Sequence, residues 1–262
     1  MPRITWGGSG SRAYETGIDR GVLFVGSQAG VAWIGLTSVE ENPVGGQNKS
    51  YYIDGVKYLQ TSGPEEYTAT INAFTYPDEF GVCDGTAQVR PGLHLTQQRR
   101  KSFGFSYRTL IGTDLNPDKG YKIHIVYNAL AEPARRNYSS ISDSPEPLDF
   151  SWTITTKAPA VSGYKHSAHV VIDSRTTSPQ TLKVIEDILY GSDEQMSRLP
   201  SISELIDIFD ELHVLVVTDN GDGTATIEGP DEAIRMLDSN IFQIEWSTVG
   251  AIDEDTYMIS SG

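Results

Sequence analysis

Phe103-Gly-Phe-Ser-Tyr107 and, one turn later, Tyr121-Lys-Ile-His-Ile-Val-Tyr127 lie within the stretch from Phe103 to Leu130 whose reading decides the fold. Aromatic and β-branched residues alternate there with polar ones. Phe103, Phe105 and Tyr107 fall on one face of the first segment. Tyr121, Ile123, Ile125 and Tyr127 fall on one face of the second. Ser102, Ser106 and Arg108, with Lys122, His124 and Asn128, form the opposite faces, and Val126 is the apolar exception among them. A period of two marks strands with one buried face. Asn116-Pro-Asp-Lys-Gly120 supplies the turn, through the fixed φ of Pro and the tolerance of Gly for positive φ. The expectation is an antiparallel pair whose second face is polar.

Upstream of this pair, Gly21–Val25 and Gly30–Leu36 read as strands broken by Gly, and Glu41-Asn-Pro-Val-Gly-Gly46 is a turn cluster. Tyr51-Tyr-Ile53 and Val56-Lys-Tyr-Leu59 flank Asp54-Gly55, the dipeptide that favours a type I′ hairpin. Glu66–Ala73 alternates again, and Pro77, which cannot donate to a ladder, ends it. Residues 1–20 are rich in Gly and Ser. No strand precedes Gly7-Gly-Ser-Gly10 and no Lys-Ser/Thr follows at P-loop spacing, so a flexible arm is expected rather than a phosphate cradle. Glu79–Lys101 reads as a long irregular segment ending in Arg99-Arg-Lys101. A loop of that length is usually functional or partly mobile. Its basic run fits a solvated or subunit-contacting patch better than a phosphate site.

Downstream come Ala131–Arg136, the segment Asp143-Ser-Pro-Glu-Pro147 and a strand, Leu148–Thr155, with Phe150, Trp152 and Ile154 on one face. Lys157-Ala-Pro-Ala-Val-Ser-Gly163 reads as a linker, dividing residues 1–160 from a smaller α+β domain at 161–262. In the second part His169–Ile172 is a short strand. Ser178 is an N-cap with Pro179 at N1, and Leu182, Ile185 and Leu189 make a helical stripe ending at Gly191. Ser201 and Glu204 form a capping box for a second helix. Strands are expected at His213–Thr218, Thr224–Glu228, Ile241–Trp246 and Thr256–Ser260, with a short helix at Pro230–Leu237.

Composition agrees with a mainly β chain. Of 262 residues 38% are hydrophobic, enough for a buried core, with 25 Gly and 13 Tyr. No run of about 18 apolar residues spans a membrane, and Met1–Trp6 lacks the charged and apolar regions of a secretory signal. The single cysteine, Cys83, forms no disulfide within the chain and fits synthesis in a reducing cytoplasm. The net charge of −15 is uneven. Residues 1–162 hold 15 Lys+Arg against 16 Asp+Glu, and residues 163–262 hold 5 against 19. Two modules with different surroundings, or solubility alone, explain the step. Such acidity argues against nucleic-acid binding, which neutralises phosphates with Lys and Arg.

The inventory of chemistry yields no catalytic, metal-binding or cofactor-binding residues, and no enzyme. His166 and His169 point to opposite faces if extended, with no acidic partner placed beside them. Asp219-Asn-Gly-Asp-Gly223 places Gly where a calcium loop needs oxygen side chains, so it reads as a hairpin turn. Asp253-Glu-Asp255 reads as a solvated turn, and no Gly-x-Ser-x-Gly elbow is present.

Several stretches together resemble the major tail tube proteins of long-tailed phages that infect actinobacteria. They are Thr5–Ser9, Tyr14–Val22, Gly30–Trp33, Tyr52–Tyr58, Ala73–Phe80, Gln97–Arg108, Gly120–His124 and Ser142–Pro147. The likeness covers most of residues 5–160 and runs more loosely to the end. It implies a β-sandwich or barrel protomer that closes into six-membered rings, which stack into a tube conducting double-stranded DNA without specific binding. The implied partners are further copies of the chain and the tape-measure, tail-tip and terminator proteins. The implied location is the virion, with assembly in the host cytoplasm and no membrane contact. Glu79–Lys101 would bridge stacked rings, and the acidic domain would face outward. A tail-tip or receptor-binding protein is the alternative. A shell protein or a hydrolase using Cys83 are the remaining ones.

Overall fold

The computed structural model describes residues 12–46, 48–138, 140 and 147–210 with their side chains, and as backbone alone Glu211 and six strands between Leu215 and Ser260. The chain divides into two compact units, Met1–Arg175 with Leu189–Leu199, and Thr176–Ile188 with Pro200–Gly262.

The first unit is mainly β. Its strands are β1 (Ala13–Phe24), β2 (Val31–Ala32), β3 (Leu36–Glu41), β4 (Val44–Gly45), β5 (Asn48–Ile53), β6 (Val56–Ser62), β7 (Glu65–Glu66), β8 (Thr68–Ala73), β9 (Ala87–Arg90), β10 (Leu93–Leu95), β11 (Phe103–Thr113), β12 (Gly120–Ala131), β13 (Phe150–Thr156) and β14 (His169–Asp173). The main sheet is antiparallel with the order β2-β1-β11-β12-β13-β8-β3, and β14 shares the edge of β12 with β13. β14 therefore belongs to the first unit, beyond the linker that the charge step pointed to. β1 occupies residues 13–20, where a flexible arm was expected. It pairs with β11 from Ala13↔Thr113 to Phe24↔Gly104, through irregularities between Thr16 and Val22. Residues 1–11 lie outside the described ones.

The central pair forms as the alternation predicts, but its register corrects the expected faces. Phe105 lies opposite Val126, Tyr107 opposite His124 and Thr109 opposite Lys122. Directly opposed residues of an antiparallel pair share a face. The aromatic face of β11 is thus continuous with the His124 and Val126 face of β12, and Ser106 and Arg108 lie with Ile125 and Ile123. The cause is where the hairpin closes, pairing Ile111 with Gly120, an odd residue with an even one. Both faces are buried: Ser106 and His124 are 0% and 8% exposed, alongside Phe105 and Ile125 at 0%. The expected polar second face is therefore not a solvated one. A shift between Phe103 and Phe105, near Asn128 with its φ of 50°, brings Ala129 opposite Phe103 and returns Ala129 and Ala131 to the same core.

That core gathers Leu23, Trp33, Ile71, Phe80, Phe105, Val126, Trp152 and Ile154. Trp33, Phe80 and Trp152 meet mutually, with ring centroids 4.7, 5.0 and 5.9 Å apart. The sheet curls until its ends approach. The Trp33 N–H donates to the Gly21 carbonyl at 2.8 Å, and a Cβ on Gly21 of β1 would lie 2.2 Å from Leu36 of β3. The result is a barrel-like wrap with the aromatic cluster inside it.

Two pairs leave the wrap. β5 and β6 form one hairpin above the short β4–β7 ladder, turning at Asp54 and Gly55 with φ of 51° and 78°. Two successive positive φ values make the type I′ turn that this dipeptide predicts. Within Glu79–Lys101, a 3-10 turn at Asp78–Val82 and the β9–β10 hairpin replace the expected irregular loop. Its ends are tied by Gln98 N–H to the Gly85 carbonyl and Lys101 N–H to the Val82 carbonyl.

The second unit is α+β. Helices α1 (Pro179–Tyr190) and α2 (Ile202–Glu211) start as predicted. Ser178 Oγ accepts the Thr181 N–H at 3.1 Å. Ser201 Oγ accepts the Glu204 N–H at 3.1 Å, and Glu204 returns a bond to the Ser201 N–H, which closes the capping box. Gly191 ends α1 at φ 85°. Strands β15 (Leu215–Asp219), β16 (Ala225–Glu228), β17 (Ile234–Asp238), β18 (Ile241–Ile244), β19 (Thr248–Ala251) and β20 (Thr256–Ser260) form a four-stranded sheet, β16-β15-β20-β19, and the pair β17–β18. The helix expected at Pro230–Leu237 is overturned at its C-terminal half. Ile234 pairs with Ile244 and Met236 with Phe242, an antiparallel ladder in place of the helix.

Candidate functional site

At one end of the wrap the inward face turns polar. Core residue Ala69 opposes Glu41, Phe105 precedes Tyr107 on the same face, and Val126 opposes His169. Glu41, Tyr107, His124 and His169 therefore converge from four strands at the mouth of the core. Tyr107 Oη donates to Glu41 Oε1 at 2.8 Å. His124 Nδ1 lies 3.1 Å from His169 Nε2 and 3.6 Å from Glu41 Oε1, and His169 Nε2 lies 3.7 Å from the same carboxylate oxygen. Tyr107 stacks on His124 with ring centroids 4.6 Å apart, and the Tyr67 ring lies against His169 at 4.5 Å, tilted by 36°.

The polar column continues outward. His124 Nε2 is 3.1 Å from Thr109 Oγ1, and the Thr109 hydroxyl donates to Glu15 Oε1 at 2.6 Å. Lys122 Nζ donates to Glu15 Oε2 at 2.6 Å. These bonds hold the Glu15 carboxyl below its ordinary range. Burial, then the neighbouring His169, pushes the His124 pKa down to about 4, so its imidazole is neutral at neutral pH. Burial lowers His169 too, and it raises the Tyr107 phenol, with Tyr67 and Glu41 adding to the effect.

The second candidate is a surface. Every residue of β5 and β6 is exposed. Tyr51 opposes Leu59 and Ile53 opposes Val56, so one face of the hairpin is an apolar stripe. Val56 is 69% and Ile53 53% exposed. On the β9–β10 hairpin Val89, Leu93 and Leu95 are exposed as well. A lone two-stranded hairpin is at best marginally stable in water, and an uncovered strand pair is a template for another chain.

Of the residues singled out in the sequence, His169 joins the cluster and His166 stays exposed outside it. Cys83 is buried, and burial pushes its thiol up to about 12, the opposite of a nucleophile's requirement. In the basic run, Arg100 reaches into the fold, donating to the Asp84 carbonyl at 3.0 Å, while Arg99 and Lys101 are exposed. Asp84 also accepts from Arg136 and, at 3.2 Å, from Trp152 Nε1. Gly7–Gly10, the turn after Asp219 and Asp253–Asp255 lie outside the described residues. Sequence reasoning missed Glu41 and His124. The available signal was Val126, an apolar residue on the supposedly solvated face of β12.

These features define an antiparallel, barrel-like β domain with projecting hairpins, followed by an α+β unit. No protein-family model matches the chain, and no curated protein sequence matches it. Among solved structures it is similar to a chain of an extracellular contractile injection system, the PVC sheath-tube complex in its extended state. The identity is 11%, covering 59% of this chain and 88% of that one, with a TM-score of 0.30. It is also similar to a chain of the anti-feeding prophage tube-terminating cap (8% identity, 66% and 97% covered, TM-score 0.34). A third is a chain of the anti-feeding prophage baseplate (6% identity, 66% and 100% covered, TM-score 0.34).

Proposed function

We propose that the chain is a structural subunit of a phage tail, assembling into stacked six-membered rings that form a tube for double-stranded DNA. The observation that carries this reading is the β5–β6 hairpin, folded but uncovered on both faces, with its apolar stripe of Tyr51, Ile53, Val56 and Leu59. Such a hairpin is completed by a neighbouring subunit, and copies of the same chain complete one another in a closed ring. The sequence resemblance to tail tube proteins of actinobacterial phages supports the same reading. The β9–β10 hairpin, with exposed Val89, Leu93 and Leu95, is the element we assign to contact between rings.

The channel wall must let DNA slide, so it must not grip phosphates. The near-neutral balance of residues 1–162 suits a wall of that kind. The acidic unit then belongs on the exterior, where a screening length of about 8 Å at physiological salt leaves its charge little influence on DNA inside. There it keeps tubes from associating sideways. Other tail proteins cap and initiate the tube, and no catalysis is needed.

Electron microscopy of the purified protein across a concentration series, with light scattering for mass, tests the reading. The expected result is rings or hollow tubes of uniform bore, lost in an Ile53→Asp/Val56→Asp variant that keeps its circular dichroism. Compact monomers or trimers at every concentration, with or without added tail-tip complex, overturn it in favour of an adhesion role.

A further inference from the structure

We propose that Glu41, His124 and His169 bind a divalent transition-metal ion, with zinc the best match, at the mouth of the barrel. The three ligand atoms, His124 Nδ1, His169 Nε2 and Glu41 Oε1, form a triangle of sides 3.1, 3.6 and 3.7 Å. The centre of that triangle is about 2.0 Å from each corner. Zinc binds imidazole nitrogen and carboxylate oxygen at about 2.0–2.2 Å, and the edges of its tetrahedron are then about 3.4 Å. An ion slightly above the plane of the three atoms meets all of them at bonding distance without movement of the backbone.

The surrounding hydrogen bonds point the same way. A threonine hydroxyl has one proton, and that of Thr109 goes to Glu15 at 2.6 Å. Thr109 Oγ1 must therefore accept from His124 Nε2–H, 3.1 Å away. In a neutral imidazole this leaves Nδ1 as a lone pair aimed into the triangle. A ligating histidine that gives its other N–H to an oxygen, itself tied to a carboxylate, is the usual outer arrangement of metal sites. Tyr107 plays the same part for Glu41 by donating to Oε1, and the tilted Tyr67 ring packs against His169. Lys122, the nearby cation, is held away on Glu15. In the metal-free state His169 Nε2–H donates to His124 Nδ1. On binding, His169 carries its proton on Nδ1, and the ion takes the place of the shared one. Glu41 is exposed, so water reaches the fourth position. Two imidazoles and one carboxylate favour zinc over magnesium or calcium, which prefer all-oxygen shells.

The ion would tie β14 to β12 and both to the end of β3. Glu41 is the last residue of β3, and the chain next enters the β4–β7 ladder under the projecting hairpin. Metal binding thus fixes the root of that arm. The site itself does not rest on the tube reading.

The test is equilibrium dialysis of the full chain against zinc, with excess magnesium present to occupy surface carboxylates, followed by metal analysis. Cobalt(II) substitution gives the visible spectrum of the site. About one zinc per chain is expected, with intense four-coordinate cobalt bands and a melting temperature that rises with zinc and falls with chelator. His169→Gln and Glu41→Gln should each lose stoichiometric binding. Thr109→Val should weaken it about 10- to 100-fold. Glu41→Gln sits at the solvent edge and keeps the test open should His169→Gln fail to fold. Two results overturn the proposal. One is zinc no higher than in an unrelated acidic protein, which leaves a hydrogen-bonded histidine pair alone. The other is equal zinc in wild type and all folded variants.

Discussion

Two antiparallel hairpins in this chain read alike in sequence and end in opposite surroundings. β11–β12 and β5–β6 are both rich in aromatic and β-branched residues, and both turn at a Gly. The first is covered over both faces along its central residues, so that even Ser106 and His124 are buried. The second is exposed at every position, Ile53 and Val56 included. Strand-forming composition therefore identifies a strand without identifying what covers it. A strand pair left open by its own chain is the place to look for other chains.

The contrast can be broken most severely from the buried side. Trp152→Ala empties the fully buried centre of the aromatic cluster, and should cost about 3–5 kcal/mol in denaturant unfolding of the isolated subunit. A loss below about 1 kcal/mol would mean that the barrel core does not hold this unit together. Cys83 sharpens the same side. With its pKa at about 12 against about 8.5 in an unfolded chain, the native thiol should react with a disulfide reagent at pH 8 about a thousandfold more slowly than the denatured one. The sign for stability follows. Below about 8.5 both states keep the proton; from there to about 12 only the unfolded chain releases it, so stability should fall as pH rises through that window. A midpoint denaturant concentration that rises between pH 8.5 and 10 would refute the assignment.

Asp19→Asn comes next. Asp19 receives two bonds from Arg108, at 2.6 and 2.7 Å, but its side chain is 38% exposed, so about 1 kcal/mol is expected after solvent screening. Tyr107→Phe removes the bond to Glu41 and should also cost about 1 kcal/mol or slightly less, read from the same unfolding curves. The smallest effect belongs to the open hairpin. Ile53→Thr/Val56→Thr should change subunit stability by less than about 0.5 kcal/mol, while ring formation in the microscope disappears. If stability fell by several kcal/mol instead, the hairpin would be covered by its own chain.

Most strands were legible because a period of two survives any context. So were the caps of both helices, since Ser178-Pro179 and Ser201 with Glu204 act within one turn. The pairing parity of β11 with β12 was not legible. It depends on where the turn closes and on the irregularity near Asn128, and a single residue moves each side chain to the other face. The Glu41–His124–His169 cluster was hidden for the same reason. Its members lie far apart in the chain, and only the curl of the sheet brings the end of β3 to the middle of β12. Ile234–Asp238 was misread because a short apolar run fits a helix or a strand until its partner is known.

The aromatic cluster has an optical consequence. Of the four tryptophans, Trp33 and Trp152 are both buried in the first unit, with ring centroids 5.9 Å apart and planes inclined at 68°. Indoles locked in so asymmetric a setting give strong near-ultraviolet circular dichroism, which vanishes when packing loosens even if strands persist. Comparing that signal in the wild type with Trp33→Phe isolates the contribution of the pair. The barrel thereby carries its own spectroscopic reporter, and its folding can be timed separately from that of the acidic unit without attaching a dye.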